Sequence, residues 1–357
     1  MIAERKKRMK KTNLYVDFHV LQNVPPSCVN RDDTGSPKTA KYGGTVRARV
    51  SSQAWKHEIR KMFEEIFEAD EIGIRTRKVP QMIADEMKKL DNSMDDEKAM
   101  KLAVKALGNI GVKTDKEDKA SVLMFFSLAQ AQSMAKLAVE GCNDKKEYQV
   151  ALKESPSIDI ALFGRMVAAD AGLNVDAAVQ VAHAISTHAV HNEYDYFTAV
   201  DDLIREDESG AGHLGTVEFN SATLYRYATV NVKDLYKKLG ERTFDALQGF
   251  AEAFVKSMPT GKQNAFANRT VPDFIYITIR TDQPINLCGA YEKPISGRDG
   301  GYLEMSEKAL KEYSEKVYRN YACGPEKGWT FEDGDFTQIL RELNSAVREM
   351  VSESEGN

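Results

Sequence analysis

Cysteine is scarce and scattered in this chain. Cys28, Cys142, Cys288 and Cys323 are the whole complement, and no two form a CxxC pair. That spacing excludes a zinc ribbon and a disulfide framework, and leads us to expect a reducing, cytoplasmic setting. Long apolar runs are missing as well. No stretch approaches the roughly 20 apolar residues that span a bilayer. The basic start, Met1 to Lys11, is not followed by the apolar segment of a secretory signal. Walker, nucleophile-elbow, dinucleotide and HExxH patterns are all absent, so the common enzyme templates have no foothold. The Gly-aromatic-Gly-aromatic run of RNA-recognition modules is absent too. His183, His188 and His191 lie close in sequence, but on a helix positions 183 and 188 would point to different sides. Neither a metal site nor a cofactor is expected.

What is present is a segregated charge. The chain has 357 residues, 42% of them apolar and 29% charged, and a net charge of −5. That is the composition of a soluble globular protein of two or three modules. Met1–Lys11 carries six Lys/Arg and one Glu, and Arg31–Lys61 carries eight Lys/Arg against three Asp/Glu. Both segments are therefore at +5, and everything else sums to −15. A general basic coat for duplex DNA is excluded, and a nucleic acid would have to be held in a localised groove. Residues 1–11 read as a disordered basic tail.

Periodicity supplies the elements. Asn13–Gln22 alternates, with Leu14, Val16, Phe18 and Val20 on one face, and reads as a half-buried strand. Ser51 and Ser52 are N-cap candidates for a helix reaching about Phe67, with Trp55, Ile59, Met62, Phe63 and Ile66 inward. Pro80–Glu154 reads as helices without strands. Ser157–Gly164 alternates again and reads as a strand, and Val175–His188 as a helix capped by Asn174. His191–His213 is polar, aromatic and without a clean period. Thr216–Val232 is β, Arg242–Met258 an amphipathic helix and Phe274–Ile279 a strand. Glu304–Tyr321 and Asp335–Met350 are helical. Without its insertions the order is strand, helix, strand, strand, helix, strand, which is the split βαβ or ferredoxin-like arrangement of α+β proteins.

The chemistry concentrates around Ser51-Ser52-Gln53. A helix start offers backbone N–H groups, and Lys38, Lys41, Arg47, Arg49, Lys56 and Arg60 are nearby in sequence. This is chemistry for phosphate oxygens. A solvated basic loop with an ordinary cap is the plainer alternative. Gly164-Arg165-Met166 pairs a candidate phosphate ligand with an apolar wedge, although a core methionine would explain Met166 as well. Tyr15 and His19 could stack on bases, but a packed pair explains them too.

Six ordered blocks carry a family resemblance. They are Pro26–Asp33, Gly43-Gly44 through Gln53, Asp159–Met166, Ala182–His188, Tyr196–Asp202 and His213–Thr216. Together they resemble the CasC family, the crRNA-binding backbone subunits of type I-E CRISPR Cascade. The resemblance covers about residues 13–280 and implies a hand. The palm is ferredoxin-like, of RNA-recognition type, at 12–67, 157–190 and 214–357, the last stretch including the C-terminal helices. Helical fingers are inserted at 68–156 and a thumb at 191–213. It implies a non-catalytic scaffold that polymerises along crRNA, six copies by the family's pattern, beside other Cascade subunits. The kinked guide segments would pair with a target DNA strand. Carried over by position, Arg31, Lys38, Ser51, Gln53 and Lys56 would meet the guide backbone, as would Lys262, Gln263 and Asn264. Arg165, Met166, Phe197 and Thr198 would meet the kinked nucleotide. Tyr196 departs from the pattern, an indole being usual there. The alternative within the resemblance is a metal-dependent RNase of the type III backbone kind, using Asp32 or Asp33. Outside it stands an unrelated ferredoxin-like protein with helical decorations.

Overall fold

The computed structural model describes residues 13–167, 171–199, 213–297 and 300–355. The basic tail lies outside them. The chain forms two compact units: Met1–Ile59, Val181–Thr229 and Ala251–Leu343 make the first, and Arg60–Gln180, Val230–Phe250 and Asn344–Asn357 the second.

The first unit is built on a mixed α/β framework whose sheet contains β1 (Tyr15–Ser27), β2 (Thr39–Tyr42), β3 (Thr45–Val50), β7 (Ala184–Ser186), β9 (His213–Asn231), β10 (Phe274–Arg280) and β11 (Lys327–Thr330). Their order is β11-β10-β1-β9-β7-β3-β2, with β6 (Val179–Val181) and β8 (Glu193–Ala199) also pairing with β9. β1 and β10 are antiparallel, from Tyr15 opposite Arg280 to Leu21 opposite Phe274. The central run β10-β1-β9-β7 places the first and third strands of a split βαβ unit side by side, with the fourth and second outside them. A hairpin, β2–β3, extends one edge and β11 the other.

One sheet face packs on helices. Phe18 lies 5.9 Å from Phe254, ring to ring, and the Arg226 guanidinium lies 3.7 Å over Trp55 while donating to Gln22 Oε1 at 2.6 Å. The other face is covered too, contrary to the half-buried strand expected. Leu287, Tyr291 and Leu310 close over Leu21, Tyr225 and Phe274. Asp17 and His19 are consequently buried. Asp17 accepts from Tyr227 Oη (3.1 Å) and the Ile285 N–H (2.9 Å), and His19 Nδ1 lies 2.8 Å from Tyr225 Oη.

Two element assignments exchange places. Residues 157–164 hold a short helix, Ile158–Phe163, ended by Gly164 at φ +76°. Its residues from Ile158 to Leu162 are all buried. An apolar run with no exposed side fits both periods, which is why alternation suggested a strand. The second palm strand comes instead from 175–188, where β6 and β7 bury Val179, Val181, Ala184 and Ser186 at every second position. Asn174 caps no helix there; its Oδ1 accepts the Val167 N–H at 2.7 Å.

The second unit is largely helical. Val79–Leu90, Asp96–Asn109, Leu128–Val139 and Lys145–Glu154 enclose Ile83, Met87, Ala103, Leu107, Met134, Tyr148 and Leu152. A two-stranded antiparallel sheet, β4 (Ile74–Thr76) with β5 (Met124–Phe126), is present where only helices were expected. The unit also takes in 230–250 and the chain's end from Asn344. Asn344 Nδ2 donates to Phe244 O at 3.0 Å and Gln248 Oε1 at 3.1 Å. It is therefore larger than the insertion 68–156.

Candidate nucleic-acid interface

The helix α1 (Ser52–Ile66) begins where β3 ends, and its start is braced from three sides. Asn30 Oδ1 accepts the Ser51 N–H at 2.9 Å, and Ser51 Oγ accepts the Ala54 N–H at 3.3 Å, as a capping serine should. The Ser52 N–H points to His183 Nδ1, 3.4 Å away, and Arg49 Nη1 reaches the same nitrogen at 3.3 Å. Lys38 joins the group through the backbone, donating its N–H to Asn30 O and accepting from the Arg49 N–H, each at 2.9 Å. Lys56 follows one helical turn into α1, its ammonium pulled below the usual lysine range by burial. Burial, and then the charges of Arg49, Lys38 and Lys56, hold the His183 imidazole below the usual histidine range. Every charge acting on that ring is positive. Gln53 is exposed beside this cluster.

A second basic group lies along the same turn. Arg31 bridges to Pro37, one residue from Lys38. Burial raises the Cys28 thiol pKa, while Arg31 and Lys262 draw it down, which places both cations near that sulfur. The 261–264 turn presses on this loop. A Cβ on Gly261 would lie 2.1 Å from Val29 O, and Lys262 takes the left-handed φ of +54°. Gln263 is half-buried and Asn264 exposed. Asp32 is occupied locally: Oδ1 accepts from Thr34 N (2.9 Å), Thr34 Oγ1 (2.7 Å) and Ser36 N (3.0 Å). Those bonds hold its carboxyl below the usual range.

The segment expected to be an irregular thumb forms a two-stranded ribbon in its described part. β8 pairs antiparallel with β9 from Glu193 opposite Phe219 to Ala199 opposite His213. Residues 200–212, with Asp201 and Asp202, lie outside the described residues. Tyr194 and Tyr196 are 69% and 72% exposed. Phe197 lies across from Gly215, where a Cβ would come within 2.4 Å of its ring. Thr198 is exposed next to it, opposite Leu214. The exposure of the strand hid its period, because residues 193–198 are exposed at every position.

Arg165 and Met166 belong to the helical unit, and they part company. Met166 is 85% exposed, at an open cleft of about 540 Å³ that Arg75, Leu123 and Phe125 also line. Arg165 is 4% exposed. Its Nε and Nη2 donate to Leu173 O at 3.1 and 3.0 Å, and Nη1 donates to Gln130 Oε1 at 3.0 Å and Phe125 O at 3.3 Å. Burial lowers its pKa to about 10. The expectation that Arg165 meets a phosphate is corrected: its guanidinium ties backbone carbonyls together inside the unit.

A family match extends from residue 16 to residue 353, to the family described as CT1975-like protein. The chain belongs to this family. Two solved chains resemble this CT1975-like chain. One, described as "CRISPR RNA-guided surveillance complex, pre-nicking", is 31% identical over 93% of this chain and 99% of that one, with a TM-score of 0.78. Another, described as "CRISPR RNA-guided surveillance complex", is 28% identical at the same coverages, with a TM-score of 0.62. No curated protein matches.

Two arginines of this family member's basic segment are structural. Arg47 is fully buried, donating to Ser186 O (3.0 Å) and Tyr291 O (2.8 Å). Arg60 Nε pairs with Asp159 Oδ2 at 3.2 Å. His183 is the residue that sequence reasoning missed, having been weighed only as a metal ligand on a helix. Its place between two short strands brings it to the start of α1. The alternation of Val179, Val181 and Ala184 was the sign that could have put it there.

Proposed function

We propose that this chain is a non-catalytic, RNA-gripping subunit of a CRISPR RNA-guided surveillance complex. In the finer form of the proposal it is a type I-E-like backbone subunit that polymerises along crRNA in the cytoplasm and leaves guide segments free to pair with target DNA. The observation that carries the reading is the cluster of Lys38, Arg49, Lys56 and His183 around the start of α1, where the charges that lower the His183 pKa are all positive, in a chain whose net charge is −5. Such a cluster suits phosphodiester oxygens, which carry no sequence information. Sequence would then be read by base pairing, with the protein holding the backbone. Stacking of bases across the palm sheet is disfavoured, because the face carrying Asp17 and His19 is covered by Leu287, Tyr291 and Leu310. The similarity to chains of surveillance complexes at 31% and 28% identity supports the assignment to such an assembly.

The test is co-purification of the chain with its assembly, followed by extraction of the bound nucleic acid. A discrete RNA of uniform length is expected. Recovery of no RNA, or of a broad mixture of cellular fragments, would count against the scaffold.

A further inference from the structure

The proposed grip, on which this inference rests, leaves the role of His183 open. Its ring is exposed between β6 and β7, and its Nδ1 meets two donors, the Ser52 N–H and Arg49 Nη1. With donors on that side, Nδ1 is the acceptor and Nε2 carries the proton. The charged groups facing the ring are Arg49 from β3, Lys38 from the turn before β2 and Lys56 from α1.

We propose that His183 is a proton-linked positioning residue of the RNA grip: it holds the Ser52 and Arg49 donors in the free subunit, yields them to an arriving phosphodiester, and takes up one proton on Nδ1. The exchange follows from the strengths of the partners. An anionic phosphate oxygen accepts charge-assisted bonds, roughly twice as strong as neutral ones, and displaces a neutral imidazole nitrogen from the same donors. The released Nδ1 then faces an anion, and the imidazolium becomes the favoured form. One proton passes from solvent to the ring, and the complex gains one positive charge. Partial burial and the three cations disfavour the charged form of the unliganded ring, so proton uptake follows the arrival of the RNA. Affinity therefore rises as pH falls through the bound ring's pKa, and levels off below that of the free ring.

The experiment uses the full chain and a fluorescent oligouridylate at constant ionic strength. Lowering the pH from about 8 to about 6 should tighten binding, by at most about tenfold per pH unit per site. Calorimetry in buffers of different ionisation enthalpy should count proton uptake, and needs no variant. His183→Gln keeps an oxygen for the Ser52 N–H but cannot be protonated, and its pH profile should be flat. The exposed His57 and His191 remain in that variant and serve as internal controls. Equal pH profiles for wild type and variant, or no proton uptake by wild type, would overturn the role of His183 alone. Absence of salt-dependent RNA binding by wild type, or a Lys56→Ala variant with unchanged affinity and salt slope, would defeat the grip itself.

Discussion

Replacing Arg165 with alanine separates the structural reading of that residue from the RNA-contact reading. The guanidinium donates twice to Leu173 O and once each to Gln130 Oε1 and Phe125 O, and it lies 3.5 Å from Leu152 O. After truncation, Leu152 O keeps the Gln130 Nε2 donor, and Gln130 keeps its capping exchange with Ser127. Leu173 O and Phe125 O lose these donors in a buried setting. Each buried acceptor left without a partner costs about 1–3 kcal/mol, and loss of the packed stem adds to this. The desolvation of the guanidinium, which lowers its pKa to about 10, offsets part of the total. The net expectation is a destabilisation of about 3–5 kcal/mol, a shift of about 1–2 M in the urea midpoint. Far-UV circular dichroism reports on the helices of both units, Leu303–Tyr321 of the first among them, whereas both tryptophans, Trp55 and Trp329, report on the first alone. The dichroism midpoint should fall, and RNA affinity per folded molecule should stay within about twofold of wild type. Unchanged unfolding with a tenfold or greater loss of RNA affinity would refute the reasoning and return Arg165 to the phosphate.

The other expectations follow from the same geometry. Lys56→Ala should weaken unrelated RNA sequences alike and flatten the log–log salt slope by about 0.7–1; a change in sequence preference at equal affinity would contradict this. Asp33→Ala should leave no nuclease activity to lose, so Mg²⁺-dependent cutting by wild-type assemblies that vanishes in the variant would sink the scaffold reading. Phe197→Ala combined with Met166→Ala should barely move the melting temperature of the isolated subunit, because both side chains are substantially exposed. It should nevertheless impair assembly on guide RNA, where one aromatic–base contact is worth ~1–3 kcal/mol. Asp17 and His19 oppose each other in acid. Burial raises Asp17 to about 6, so its contribution is full below the unfolded value of 3.8 and lost as pH rises through 6. Burial lowers His19 to about 3, so its contribution is full above the unfolded 6.5 and lost as pH falls toward 3. His19→Gln should therefore gain about 3 kcal/mol relative to wild type between pH 6.5 and 4, read from urea midpoints, and parallel curves would refute the assignment.

The elements that could be read from the sequence were those with one wet face. Along α1, Trp55, Ile59 and Phe63 are buried, while Gln53 and Lys61 remain exposed, and the period shows through. The segments that misled are wet on all sides or on none. Ile158–Leu162 is buried throughout, so its backbone leaves no trace in the pattern of side chains. Residues 193–198 are exposed throughout, and their pairing with β9 is a property of the backbone, to which the side chains contribute no alternation. β1 shows a third case. Its alternation is genuine, but the second face is covered by a segment some 270 residues later in the chain. Asp17 and His19 are polar because they bond to Ile285 N–H and to Tyr225 and Tyr227, and not because they meet water.

The same limit governs the basic residues. Composition records that residues 31–61 are rich in Lys and Arg, but it does not record where each side chain ends. Arg47 is buried against backbone carbonyls, and Arg60, still partly exposed, pairs with the buried carboxylate of Asp159. Arginine's planar fork of donors suits that use as well as it suits phosphate, so residue type alone cannot separate the two. A lysine has no such fork, and near α1 it is Lys38 and Lys56 that stay with the cluster around His183. The separation therefore depends on acceptors. Where buried carbonyls lie within reach the arginine becomes structural, and where the neighbours are other cations and a helix start it keeps donors for an anion. By that criterion Arg49 stands between the two: its Nε is committed to Thr39 O at 3.0 Å, while its Nη1 turns outward to His183.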